Sequence, residues 1–133
     1  MNARRRRGFL IAAGALLLVA AVWSLSLSGG AGAALANKLN SYGYALTADD
    51  LYPAGEWKDV SIKTLLSGAE LEAAISVSRQ AGFPSDVEKT GTVTLVMANS
   101  GEDDVITLYL VNGEIELAFV QVTGSDVVKV LGS

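Results

Sequence analysis

Three acidic side chains in a row, Glu102-Asp103-Asp104, form the densest group of metal-ligand types in this 133-residue chain. Carboxylate oxygens suit a hard cation such as Ca²⁺, but an EF-hand loop alternates its oxygen ligands around a glycine and ends on a glutamate. The triplet lacks that spacing, so these three are weak metal candidates beside the alternative of a solvated turn that guards a sheet edge. Asp49-Asp50 poses the same choice with fewer ligands. Lys63 with Ser67, Ser76 and Ser78 supplies the residue types of a Ser-Lys nucleophile, yet no spacing selects a pair. Aromatic side chains are the remaining candidates. Tyr52 and Trp57, and Tyr109 on a strand, are the residues through which a binding surface is expected, each with an apolar body and a polar tip. Tyr42 and Tyr44 join this set with the core edge as their competing role.

Two absences narrow the chemistry further. The chain has no histidine, which removes histidine triads, the HExxH zinc motif and the imidazole switch near neutral pH. It has no cysteine, which removes disulfides, thiolate metal sites and thiol-linked lipid. No catalytic motif is recognisable and no cofactor is implied. An enzyme on this sequence would have to work with carboxylates alone, or with a cation at Glu102 to Asp104.

The elements that must position these residues can be read from periodicity. Leu35, Leu39 and Tyr42 recur at one helix face and Gly43 suits a left-handed stop, so a helix is expected from about Ala33 to Tyr42. Thr47 to Glu56 reads as a loop, broken by Asp49-Asp50, Pro53 and Gly55. Asp59 to Leu65 alternates apolar and polar residues, as a half-buried strand does. Ser67 three residues before Glu70 predicts a capping box at the start of a second helix, with Leu66 and Leu71 as its staple. Gly82 closes that helix and Pro84 prevents its resumption.

Three strand-like runs come next, Thr92 to Ala98, Val105 to Val111 and Glu114 to Val122. The last two flank Asn112-Gly113, a strong hairpin signal because both turn positions need positive φ. A two-residue turn predicts Val111 opposite Glu114, Leu110 opposite Ile115, Leu108 opposite Leu117 and Ile106 opposite Phe119. That register gathers one apolar face, extended by Val93, Leu95 and Met97 and roofed by the second helix. The other face, with Thr107, Tyr109, Glu114 and Glu116, is mixed, as in a sheet covered on one side. Ser125 to Leu131 is a short helix or an edge strand, and its valines favour the strand. The expected fold is α+β: an antiparallel sheet of about four strands packed on one or two helices, preceded by a transmembrane helix.

That leader is Phe9 to Leu27, nineteen residues without charge or proline after Arg4, Arg5, Arg6 and Arg7. At about 1.5 Å per residue a helix of this length rises roughly 28 Å, close to a hydrocarbon core of about 30 Å. The four arginines hold the N-terminus in the cytoplasm, so the C-terminal hundred or so residues face outward. Residues 1–8 are then a cytoplasmic basic tail, 9–27 a transmembrane helix in contact with membrane lipid, 28–32 a flexible joint and 33–133 one extracytoplasmic α+β domain. Ala31-Gly32-Ala33 offers a signal-peptide cleavage site, which keeps open a secreted domain cut after Ala33. The apolar run exceeds the usual signal-peptide core of about 7 to 15 residues and the site lies beyond its end, which favours a retained anchor.

Removing the four arginines leaves 6 basic against 14 acidic residues, a formal charge of −8 after the span. Such a field repels nucleic acid, so the partner classes left are a protein, a peptide or a cell-wall component.

Leu39-Asn40-Ser41-Tyr42-Gly43-Tyr44 carries a resemblance, together with a strand near Val60, a helix ending at Gly82-Phe83 and strands around Val93 to Asn99 and Leu108 to Glu116. Over most of Lys38 to Val122 the chain resembles a family of membrane-anchored bacterial proteins, domain of unknown function 4830. The resemblance implies a bacterial envelope setting and an N-terminal span, and it supplies no catalytic residues. Together these readings point to a single-pass anchored module that binds without catalysis, with the secreted domain and the carboxylate or cation-dependent envelope enzyme as alternatives.

Overall fold

The computed structural model describes residues 31–100 and 104–132. The basic tail, the expected span and residues 28–30 of the expected joint lie outside them, as do Glu102 and Asp103. Among the described residues no helix is long and apolar enough to cross a membrane.

Five strands form one antiparallel sheet in sequence order, a meander in which each strand pairs with its neighbours in the chain. They are β1 (Leu51–Val60), β2 (Gly91–Asn99), β3 (Asp104–Val111), β4 (Glu114–Val122) and β5 (Val128–Lys129). Helix α1 (Ala31–Asn40) precedes the sheet and α2 (Gly68–Gln80) joins β1 to β2. The α+β class therefore holds, with one strand more than expected. The fifth strand is β5, within the stretch read as a short helix or an edge strand, while β1 occupies most of the stretch read as a loop. Pro53 and Gly55 are tolerated there because β1 is an edge strand and carries a register shift between them. The strand expected at Asp59 to Leu65 is displaced upstream, and its centre is instead a 3-10 turn, Ile62–Thr64, that drives the fully buried Ile62 into the core.

Helix α1 begins at Ala31, so Ala31 and Gly32 are helical rather than part of a joint. It ends ahead of Gly43, whose φ of 101° is the left-handed stop that the sequence calls for. Ser67 takes the N-cap position of α2 with extended backbone, but its side chain makes no capping bond, so the predicted box with Glu70 does not form. A carboxylate caps the turn Ala48–Asp50 instead, where the Thr47 N–H donates to Asp50 Oδ2 at 2.8 Å.

The Asn112-Gly113 turn forms as predicted, with φ of 52° and 87°. Val111 faces Glu114 and Leu110 faces Ile115, after which the ladder shifts and Tyr109 faces Leu117. Glu116 is the extra residue of a bulge in β4. Beyond it Leu108 meets Ala118 and Thr107 meets Phe119, so the expected pairs Leu108 with Leu117 and Ile106 with Phe119 do not form. A bulge reverses which side chains face which way, and the predicted single apolar face is split between two cores.

Ile106, Leu108 and Leu110 join Val96, Ala98, Ala118 and Val120 beneath Ala36 and Leu39 of α1. Leu117 and Phe119 join Val93, Leu95, Tyr109 and Val111 beneath Ala74 of α2. Val93, Leu95 and Met97 thus extend the Tyr109 face, opposite to the expectation. Both faces are covered: Thr107, Tyr109, Val111 and Glu116 are all buried. A mixed composition had implied an open face, yet each face carries an apolar layer with a helix packed on it, so both contribute buried apolar surface.

Helix α2 packs on β4 and β5. Its Ser78 hydroxyl accepts from the Ala118 N–H at 3.0 Å and donates to the Ala118 carbonyl at 3.2 Å. One side chain therefore does for β4 what a neighbouring strand would do. The chain then crosses to the other layer, where Phe83 stacks on Tyr42 with ring centroids 5.8 Å apart. The Tyr42 hydroxyl donates to the Ala81 carbonyl at 2.6 Å, tying the end of α1 to the end of α2.

Candidate functional site

The three aromatic candidates lie on one face of the sheet. Along β1 the partners are Tyr52 with Met97, Gly55 with Leu95 and Trp57 with Val93, and Leu95 pairs onward with Tyr109. Their accessibility differs. Tyr109 is 8% exposed and stacks on Phe119 with centroids 6.3 Å apart, so it is a core residue and not a contact surface. Tyr52 is 38% exposed, one of two large apolar or aromatic side chains that the described residues leave open. Trp57 and Met97 beside it are half-buried. The Trp57 ring lies over the backbone of Gly55, where a Cβ would stand 2.4 Å from the ring edge. Glycine at 55 is what lets the indole lie flat along its own strand. Helix α2 sits over β4 and β5, and at the β1 margin of this face Tyr52 is exposed while Trp57 is half-buried against the core.

The acidic candidates are differently placed. Asp104 opens β3 and its Oδ2 takes the Lys129 ammonium at 2.8 Å, a half-buried pair that holds β5 to the sheet. Asp50 caps its own turn and Asp49 is exposed beside it. Among the described residues no group of three acids, histidines or cysteines could hold a metal ion. Of the possible Ser-Lys set, Ser78 is bonded to β4, and Lys63 reaches Glu88 at 3.9 Å on the surface.

Sequence reasoning missed the one deeply buried carboxylate among the described residues. The Glu116 side chain is 3% exposed and Oε2 meets the Lys89 ammonium at 2.8 Å. Its Oε1 accepts the Asp86 N–H at 2.9 Å, and its backbone carbonyl accepts the Ser85 N–H at 2.8 Å. Lys89 also reaches Glu114 at 3.2 Å. The bulge aims Glu116 into the turn that comes after α2, so the group acts as a latch. No local signal in the sequence marks it, because a bulge position has no period.

Three protons in the fold are held more tightly than in free side chains. Burial, with the Glu70 carboxylate adding to it, pushes the Tyr109 hydroxyl well up from 10.0. Burial raises Tyr52 from the same value. Hydrogen bonds to Glu116 and then Glu114 raise Lys89 from 10.5. In each case the unfolded chain releases its proton first as pH rises. Stability from these groups is complete below their free values and is lost above them. Thermal melts at constant ionic strength should be level from about pH 7 to 9 and fall beyond about pH 10. Tyr109→Phe should flatten the fall, since the phenol that must stay protonated is gone. A slope equal to that of the wild type would contradict the assignment.

In comparison with known proteins the chain matches no protein-family model, no curated protein and no solved structure, so the resemblance carried by Leu39 to Tyr44 stays an expectation.

Proposed function

We propose that this chain is a single-pass membrane protein of the bacterial envelope whose outward domain is a non-catalytic binding module, with the Tyr52 and Trp57 margin as its contact surface. The observation that carries the reading is the open aromatic margin at β1, beside a sheet whose other aromatics are packed away. The anchored, outward setting is supported by the arginine-flanked apolar run of residues 9–27. The polar groups that a reaction would use hold structure instead: Ser78 caps β4, Lys89 pairs Glu116 and Lys129 pairs Asp104. No specific observation favours the carboxylate enzyme over this reading.

The test is site-specific photo-crosslinking in cells that express the full chain. A photoreactive residue at Tyr52 should capture an envelope component, whereas the same residue at the exposed Glu72 of α2 should not. Equal capture from both positions, or none from either, would overturn the surface. External protease should remove the domain from intact spheroplasts and spare it in inverted vesicles; the reverse would overturn the orientation.

A further inference from the structure

Resting on the binding-module reading, we propose that the outer edge of β1 takes up an extended lysine- or arginine-rich peptide segment as a sixth strand, centred on Gly55 to Trp57. The two edges of the sheet are treated differently. On the β4 side the backbone is met by β5, by the Ser78 hydroxyl at Ala118 and by the Ser85 N–H at Glu116. On the β1 side β2 is the one neighbouring strand; the Leu51 N–H is closed by the Ala48 carbonyl, and from Tyr52 to Val60 no backbone partner besides β2 is present among the described residues. An unpaired edge is a template for an added strand, with main-chain bonds giving affinity and alternate side chains giving selectivity.

The edge is also restricted. Register shifts fall between Pro53 and Gly55 and between Trp57 and Val60, and Asp59 has a φ of 59°. These irregularities divide the strand into two regular stretches, Leu51 to Pro53 opposite Ala98 to Val96 and Gly55 to Trp57 opposite Leu95 to Val93; the first ends on Pro53, which has no N–H to give, so Gly55, Glu56 and Trp57 are the stretch with every donor present. A long flat strand cannot run along such an edge, which disfavours open-ended stacking of copies, whereas a short peptide needs only the central stretch. Charge selects the peptide. Asp49, Asp50, Glu56 and Asp59 stand against Lys58 along and ahead of the strand. Among the described residues Asp49, Glu56 and Asp59 have no ion-pair partner. The surplus of acid repels a second copy and attracts a basic segment. Every second side chain of that segment would fall on the Trp57 face, where a cationic head can sit over the indole and its stem can cover the ring.

The full chain, reconstituted in nanodiscs of zwitterionic lipid and carrying Trp23→Phe so that Trp57 is the sole indole, provides the test. An acetylated and amidated seven-residue peptide of sequence Lys-Lys-Val-Lys-Lys-Val-Lys, which presents lysines to both the Trp57 face and the Glu56 face, should change Trp57 emission saturably. The glutamate-valine counterpart should leave it unchanged. Methylation of alternate peptide amides, and separately Glu56→Lys in the protein, should each weaken binding at least tenfold. Equal affinity for the methylated peptide, equal affinity of the Glu56→Lys variant, or a self-association that buries Trp57 would overturn the proposal. Capture from position 52 in cells, combined with no response of Trp57 to the basic peptide, would sink strand addition while leaving the binding module standing.

Discussion

Lys89→Met should destabilise the domain more than the double exchange Lys89→Met with Glu116→Met. The single exchange leaves the carboxylate of Glu116 buried without its cation, and an uncompensated buried charge of this kind costs about 3 kcal/mol. Exchanging both partners for apolar side chains of similar length removes the charge together with its need for a partner, and such replacements are often neutral or stabilising. The double variant still forfeits the bond from the Asp86 N–H, so it should regain most of the loss and not all of it. Urea midpoints for wild type, Lys89→Met, Glu116→Met and the double variant give the coupling directly. Lys63→Met serves as the control, because its pair with Glu88 is 3.9 Å long with side chains 52% and 77% exposed. An exposed pair of that kind contributes little, and the midpoint should barely move. If Lys89→Met behaves like Lys63→Met, the latch is not a structural ion pair.

The latch also shows where the sequence stops being readable. Periodicity and turn chemistry are local, and the features that depend on them are present: the Asn112-Gly113 turn, the Gly43 stop, the helix that opens after Ser67, and the strand character of Val128. What depends on a single irregular residue is not local. Glu116 has the composition of a solvent-facing strand position, but as the extra residue of a bulge it points into the turn after α2 and reverses every side chain beyond it. The predicted pairs beyond Leu110 with Ile115 failed from that one position, while α2 roofs only the part of the expected face that carries Val93, Leu95, Leu117 and Phe119. Pro53 and Gly55 misled in the opposite sense, since breakers are compatible with an edge strand that is already irregular. Of the three aromatic candidates, Tyr52 is exposed, Trp57 is half-buried and Tyr109 is buried. The difference lies in where α2 rests, and helix placement is set by long-range contacts that no short window contains.

Leu39→Ala should be the most damaging single truncation on α1, by about 3 kcal/mol, the loss of a buried leucine side chain plus the cavity it leaves. Leu39 is fully buried, and with Ala36 it is what α1 contributes to the core shared with Val96, Leu108 and Val120. Helix propensity cannot hold a ten-residue helix in water on its own, so docking must. Two polar ties reinforce it. The Asn40 side chain donates to the Leu46 carbonyl at 2.9 Å and accepts the Leu46 N–H at 2.8 Å, while the Tyr42 hydroxyl reaches Ala81. For a domain of roughly 100 residues each kcal/mol moves the melting temperature by about 4 to 8 °C, so Leu39→Ala should lower it by at least about 12 °C. Asn37→Ala, on the exposed side of the same helix, should shift stability by less than about 0.5 kcal/mol. The contrast decides whether α1 belongs to the folded domain or only links it to the leader. Equal melting of the two variants would mean that the first helix is not part of the core, and that the domain begins after Gly43.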